Sequence, residues 1–155
     1  MICQSVNHNS NEYLLAVELR REVLRYPLGL DFTQEELDAE SNAHHFVLMG
    51  GTMVLATAMA IELGNGEAQV RQVAVSFANR GRGFGREIMH CAEDCMRANG
   101  SRSTIVHARE VVLEFYFKLG YMPFGEPFEE VGIPHRKMRK SLASSNGSTK
   151  TLFAI

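Results

Sequence analysis

The sequence has no apolar run approaching the roughly 20 residues that cross a bilayer, and its start, MICQSVNHNSNEY, lacks the charged-then-apolar pattern of a secretory signal. A cytoplasmic location with no membrane partner is therefore expected. An excess of either charge is missing too. The 16 Lys and Arg against 18 Asp and Glu leave a formal net charge of -2. That balance argues against a nucleic-acid partner, because such binding draws its affinity mainly from basic side chains on phosphates. Cysteine is scarce, with Cys3, Cys91 and Cys95 as the only three. An odd count in a chain too long to need covalent staples reads as reduced, partly buried thiols. Cys91 and Cys95 beside His90 match no zinc spacing, so no metal is expected. What remains is ordinary: 155 residues, 45% hydrophobic and 22% charged, the profile of one globular domain.

Along the chain, a short first strand is followed by leucines and valines at helical spacing (Leu15, Leu19, Val23). The helix is expected from Tyr13 to Arg25, with Asn9, Ser10 and Asn11 as candidate caps and Pro27 forcing its end. An acidic segment comes next, where Thr33 is placed to cap a short helix at QEEL. The stretch HHFVLMGGTMVLATAMAIELGNGEAQVRQVAV reads as a three-strand meander, punctuated at Gly50-Gly51 and Gly64-Asn65-Gly66. Beyond a glycine-rich loop, Phe84, Ile88, Ala92 and Cys95 share one helical face, while Arg86, Glu87, Glu93, Asp94 and Arg97 fall elsewhere and Gly100 caps the end. STIVHA then reads as a strand, REVVLEFYFKLG as a helix closed by Gly120, and YMPFG and IPHRKMRK as two closing strands. The small, polar SLASSNGSTK suggests a single domain over 1–140 and a flexible tail over 141–155.

The loop NRGRGFGREIM carries the chemistry. A strand that ends in glycines and opens a helix presents unpaired backbone N–H groups at the positive end of the helix dipole, which suits a phosphate. A Walker loop is excluded, because Gly85 is followed by Arg86-Glu87 rather than Lys and Ser or Thr. The spacing G-x-G-x-G after three meandering strands does not fit a dinucleotide fingerprint. Arginine-glycine segments that bind RNA are usually repeated and disordered, whereas this one runs into a well-formed helix. The pattern R-x-x-G-x-G is met by Arg80, Gly81, Arg82, Gly83, Phe84 and Gly85, followed by Arg86.

At this point the chain resembles the GNAT family of N-acetyltransferases. VAVSFANRGRGFGREIM, residues 73 to 89, is similar to the family's acetyl-CoA pyrophosphate motif, and EFYFKLGYMPFG, residues 114 to 125, to its second, tyrosine-bearing motif. The similarity spans roughly residues 2 to 140, and LRREVLRYPLGL and EPFEEVGIPHRKM further resemble small bacterial acetyltransferases. The resemblance implies an α/β fold: a mixed, twisted central sheet of about six to seven strands flanked by about four helices. It implies acetyl-CoA as co-substrate, with the amides from Arg80 to Arg86 on the pyrophosphate. Main-chain groups of Val73, Ala74 and Val75 would pair with the pantetheine arm like an added strand. Tyr116 would be the general acid that protonates the departing thiolate, and a backbone N–H near Val73 to Val75 would stabilise the carbonyl oxygen. A homodimer is likewise implied.

The general base is the gap in this pattern. Several family members use a glutamate on the strand before the loop, where this chain has Gln69, and an amide cannot take a proton. Glu67 stands two residues earlier, about 7 Å along the strand. His107, at the end of a strand facing the cleft, is the candidate base; His135, His44 and His45 are weaker ones. Polar Arg71 and Gln72, in a central strand, must find partners or line the site. The acceptor is a primary amine of a small molecule or peptide, and the acidic residues Asp31, Glu35, Glu36, Asp38, Glu40, Glu126, Glu129 and Glu130 suggest a cationic one. The alternative is a non-catalytic acyl-CoA binding module, in which the missing glutamate marks lost chemistry.

Overall fold

The computed structural model describes residues 2–143. Seven strands form one sheet: β1 (Ile2–Val6), β2 (His44–Gly50), β3 (Met53–Gly64), β4 (Glu67–Val75), β5 (Ser103–Arg109), β6 (Met122–Glu130) and β7 (Ile133–Ser141), in the order β1-β2-β3-β4-β5-β7-β6. The α-helices are α1 (Asn11–Arg20), α2 (Gln34–Asp38), α3 (Phe84–Ala98) and α4 (Leu113–Lys118). Pairing is antiparallel in β1–β2, β2–β3, β5–β7 and β6–β7. β4 and β5 are neighbours in the order and are connected through α3, and the sheet as a whole is mixed. The chain divides into two compact units. The described residues of Met1–Ile61 and Val70–Ala92 form the first, and those of Glu62–Gln69 and Glu93–Ile155 the second.

In the first unit, the Ser10 hydroxyl accepts the Tyr13 N–H and starts α1, as a cap should. The helix is shorter than its leucine spacing suggests: it ends at Arg20, widens into a π turn over Arg21–Arg25 and closes through a 3-10 turn over Tyr26–Leu28 that contains Pro27. Leu19 and Val23 still pack on Ala74 of β4, so the π turn keeps the apolar face on the sheet. Thr33 and Glu36 form the reciprocal capping box of α2. A buried ion pair ties these elements together. Arg20 donates to both carboxylate oxygens of Glu40, at 2.8 and 2.6 Å, and Tyr13 Oη donates to Glu40 Oε1 at 2.9 Å. Burial and the Glu40 charge push the Tyr13 phenol up to about 12. Arg20 also lies over the Phe32 ring, and its buried Nε has no hydrogen-bond partner among the described residues. His45 donates from Nε2 to the Glu40 carbonyl at 2.9 Å, and burial pulls its pKa below the ordinary imidazole value. Cys3 of β1 and Cys91 of α3 form a disulfide, which corrects the expectation of three reduced thiols; Cys95 is free.

In the second unit, Glu93 departs from its expected place on a polar helix face. It is buried, accepting from Tyr121 Oη at 2.7 Å and from Lys140 Nζ at 2.9 Å, while Thr104 Oγ1 lies 2.8 Å from the same phenol. Those partners offset the cost of taking its charge out of water. The second motif's helix is also shorter than expected. Glu110–Val112 tighten into a 3-10 turn, and only Leu113–Lys118 are α-helical. At the far end, Ser141 still belongs to β7 and Leu142 is buried, its N–H donating to the Arg102 carbonyl at 2.7 Å. The tail boundary drawn at 140 therefore cuts into the strand; residues 144–155 lie outside the described residues.

Candidate functional site

The glycine loop belongs to the first unit. β4 ends at Val75, and the Ser76 N–H donates to the Leu55 carbonyl at 3.0 Å, holding the strand end to β3. A 3-10 turn over Phe77–Asn79 follows, and Arg80 is extended. Gly81 and Gly83 then take φ of +76° and +84°. A side chain costs about 1–2 kcal/mol in that left-handed region. Among the described residues, and apart from each glycine's own chain neighbours, no heavy atom lies within 4 Å of where a Cβ would stand at either position. Glycine is thus demanded by the backbone, and the face of the loop is open. α3 begins at Phe84, which is buried and anchors the helix start, with Gly85 following.

The first turn of a helix has N–H groups with no intrahelical acceptor, carrying the positive end of the dipole. Around it stand Arg80, Arg82 and Arg86, all exposed. Arg80 rests on the Phe77 ring at 4.3 Å, and Arg82 donates to the Asn79 side chain at 3.1 Å. These residues fit a coenzyme A pyrophosphate: open amides, left-handed glycines that let an anion approach the main chain, and solvated arginines.

Just before the loop, β4 holds a feature that its sequence did not announce. Gln72 has φ +55°, the left-handed region, in the interior of a strand. For a non-glycine residue this costs about 1–3 kcal/mol, and it breaks the pleat as a bulge does. Val73, Ala74 and Val75 follow directly. Of the two polar residues expected to need partners, Arg71 is exposed and Gln72 is half-buried, while Gln69, at the position of the missing glutamate, is buried.

Tyr116 lies in the second unit, on α4. It is buried, edge-on to Phe115 at 4.9 Å and to Tyr121 at 5.7 Å between ring centroids. Burial raises its pKa, and the charge of Arg109 pulls the other way. The phenol therefore keeps its proton at neutral pH.

His107, on β5, keeps 23% of its side chain exposed, with Nδ1 3.0 Å from Glu130 Oε1. The other candidates are committed elsewhere. Glu67 accepts from Arg139 Nε at 2.8 Å and from Ser103 at 2.9 Å, and Arg139 holds its carboxyl below the usual range. His135 and His45 are buried. The acidic surface is likewise partly spent: Glu40 is paired with Arg20, Asp31 with Arg21 at 2.8 Å, and Glu130 with His107. Glu130 and Gln72 are the two residues whose local roles went unread. An acidic run gives no hint of a histidine partner, and glutamine carries no preference for positive φ.

Among the described residues, no three His, Cys, Asp or Glu side chains are grouped to hold a metal ion, and no helix is long and apolar enough to cross a membrane. Residues 27–142 match the family described as Acetyltransferase (GNAT) domain. The uncharacterized protein YyaT of Bacillus subtilis (strain 168) is 27% identical over 110 residues, which cover 70% of this chain and 74% of that one. Two solved structures share the fold. Escherichia coli ElaA has a TM-score of 0.75 at 23% identity, covering 90% of this chain and 99% of its own. An aminoglycoside 6'-N-acetyltransferase complexed with coenzyme A has a TM-score of 0.78 at 16% identity, covering 94% and 99%. With three quarters of its length matched to the family, the strand order of a mixed seven-stranded sheet and an open glycine turn at the head of α3, this chain belongs to the GNAT family of acetyltransferases.

Proposed function

We propose that the protein transfers the acetyl group of acetyl-CoA to a primary amine of a small molecule or peptide, by direct attack of the amine on the thioester. The observation that carries this reading is the loop from Arg80 to Arg86, with two left-handed glycines, an open face and three exposed arginines at the start of α3. Its amides and guanidinium groups bind the pyrophosphate. Main-chain groups of Val73, Ala74 and Val75 pair with the pantetheine amides, and the left-handed Gln72 supports this by interrupting the ordinary ladder just before them. A backbone N–H of the same segment stabilises the negative charge that develops on the carbonyl oxygen.

Tyr116 gives its proton to the departing thiolate. Its burial supports the role, because a phenol kept neutral is always armed as an acid, and the Arg109 charge eases the proton's departure. His107 takes the proton of the attacking amine in place of the glutamate that Gln69 cannot supply. The acceptor need not be polycationic, since Asp31, Glu40 and Glu130 spend their charge on internal partners. Incubation with acetyl-CoA and a panel of primary amines, followed by mass spectrometry of the amines, tests the reading. An acetylated amine formed only with active protein is expected. Coenzyme A binding without any acetylated product across small amines and peptides would favour the non-catalytic alternative.

A further inference from the structure

The carboxylate of Glu130, at the end of β6, stands beside two histidines. Its Oε1 lies 3.0 Å from Nδ1 of His107, and its Oε2 lies 3.9 Å from Nε2 of His135. Only the first is a hydrogen bond. An ionised carboxylate has no proton to give, so His107 is the donor and its hydrogen is on Nδ1. A neutral imidazole of that form has its lone pair on Nε2. His135 is spoken for differently: its Nδ1 donates to the Ile133 carbonyl at 2.8 Å. The Phe128 ring meets both histidines, edge-on to His107 at 5.1 Å and tilted against His135 at 5.8 Å between centroids. His135 is buried, whereas His107 and Glu130 reach solvent, with 23% and 48% of their side chains exposed. The strand register puts Lys137 opposite His107, and its Nζ lies 5.9 Å from the Phe128 ring centre.

We propose that Glu130 is a positioning residue, which fixes His107 in the tautomer whose Nε2 accepts the proton of the attacking amine. This rests on the reading of His107 as the base. As the amine nitrogen bonds to the acetyl carbon, its proton passes to Nε2. The carbon–sulfur bond breaks, and the thiolate takes the Tyr116 proton. His107 is then an imidazolium whose Nδ1–H faces the Glu130 carboxylate, which stabilises the new charge. The imidazolium returns its proton to water, and the phenolate recovers one from water.

The experiment combines nitrogen-15 imidazole NMR with steady-state kinetics of Glu130→Ala, Glu130→Gln and His107→Ala, using whichever amine the wild type acetylates. A half-exposed pair of this kind contributes little to stability, so the Glu130 variants are expected to keep the wild-type melting temperature and the KM for acetyl-CoA. In the neutral wild-type protein His107 is expected to carry its hydrogen on Nδ1, and Glu130→Ala is expected to lose that preference. The kcat of Glu130→Ala is expected to fall about 10- to 100-fold, in the range of a lost outer-shell partner, with a further fall in His107→Ala. Should His107→Ala lose activity while both Glu130 variants keep theirs, the positioning role is overturned and the base stands. Should His107→Ala stay fully active, the base reading fails, and the inference with it. A hydrogen that remains on Nδ1 in Glu130→Ala would overturn the inference independently of activity.

Discussion

Gly83→Ala separates what the glycine loop costs the fold from what it gives to binding. At φ +84° an alanine pays about 1–2 kcal/mol for the left-handed backbone. Apart from the chain neighbours, its Cβ meets no heavy atom within 4 Å among the described residues, so no steric term adds to that. For a chain of this length each kcal/mol moves Tm by roughly 2–4 °C, giving an expected fall of about 2–8 °C. Binding should suffer more than this small strain suggests. The loop amides must meet a phosphate closely, and losing one charge-assisted hydrogen bond of about 1.5–3 kcal/mol weakens Kd by at least about tenfold. Gly100→Ala is the control, because Gly100 also has positive φ with open space but ends α3 instead of starting it. Calorimetric titration of coenzyme A into both variants, beside their melting curves, is the assay. If Gly83→Ala binds coenzyme A as tightly as the wild type, the loop does not hold the pyrophosphate and the reasoning fails.

Three further expectations concern other parts of the molecule. Glu40→Ala removes the partner of a buried guanidinium and of the Tyr13 hydroxyl; breaking such a pair costs about 3–5 kcal/mol, and a urea unfolding series showing less than about 1 kcal/mol would contradict it. His45 should make the protein less stable in acid. Its folded pKa is depressed by burial, so its contribution is complete above the unfolded value of 6.5 and is lost as pH falls below it, because the unfolded chain then takes up the proton more readily. His45→Gln should flatten the dependence of unfolding free energy on pH in that window. Glu67 adds a term of the same sign at lower pH, since Arg139 depresses its carboxyl from 4.5.

How far the sequence could be read depended on whether the signal was local. The capping box at Thr33, the turns at Gly51 and Asn65-Gly66, and Gly100 after α3 each depend on a few neighbouring residues, and each was legible. The length of α1 was not, because a π turn satisfies the same apolar spacing as more helix. Glu93 looked like a surface charge because its partners, Tyr121 and Lys140, lie 28 and 47 residues away. The Cys3–Cys91 pair is separated by 88 residues, and spacing alone says nothing of such a contact. The candidate site follows the same division. The phosphate loop is a continuous stretch with its own geometry, whereas Glu130 beside His107 is a product of the β5–β7–β6 arrangement.

Acetyl transfer driven by Tyr116 is tested most directly by amine-dependent release of coenzyme A from acetyl-CoA, measured for the wild type and for Tyr116→Phe, with coenzyme A affinity followed in parallel. The account predicts that the wild type turns over, and that the variant binds coenzyme A equally well while its kcat falls by about 100-fold or more, the usual range for a lost general acid. Equal turnover by the two proteins would contradict it.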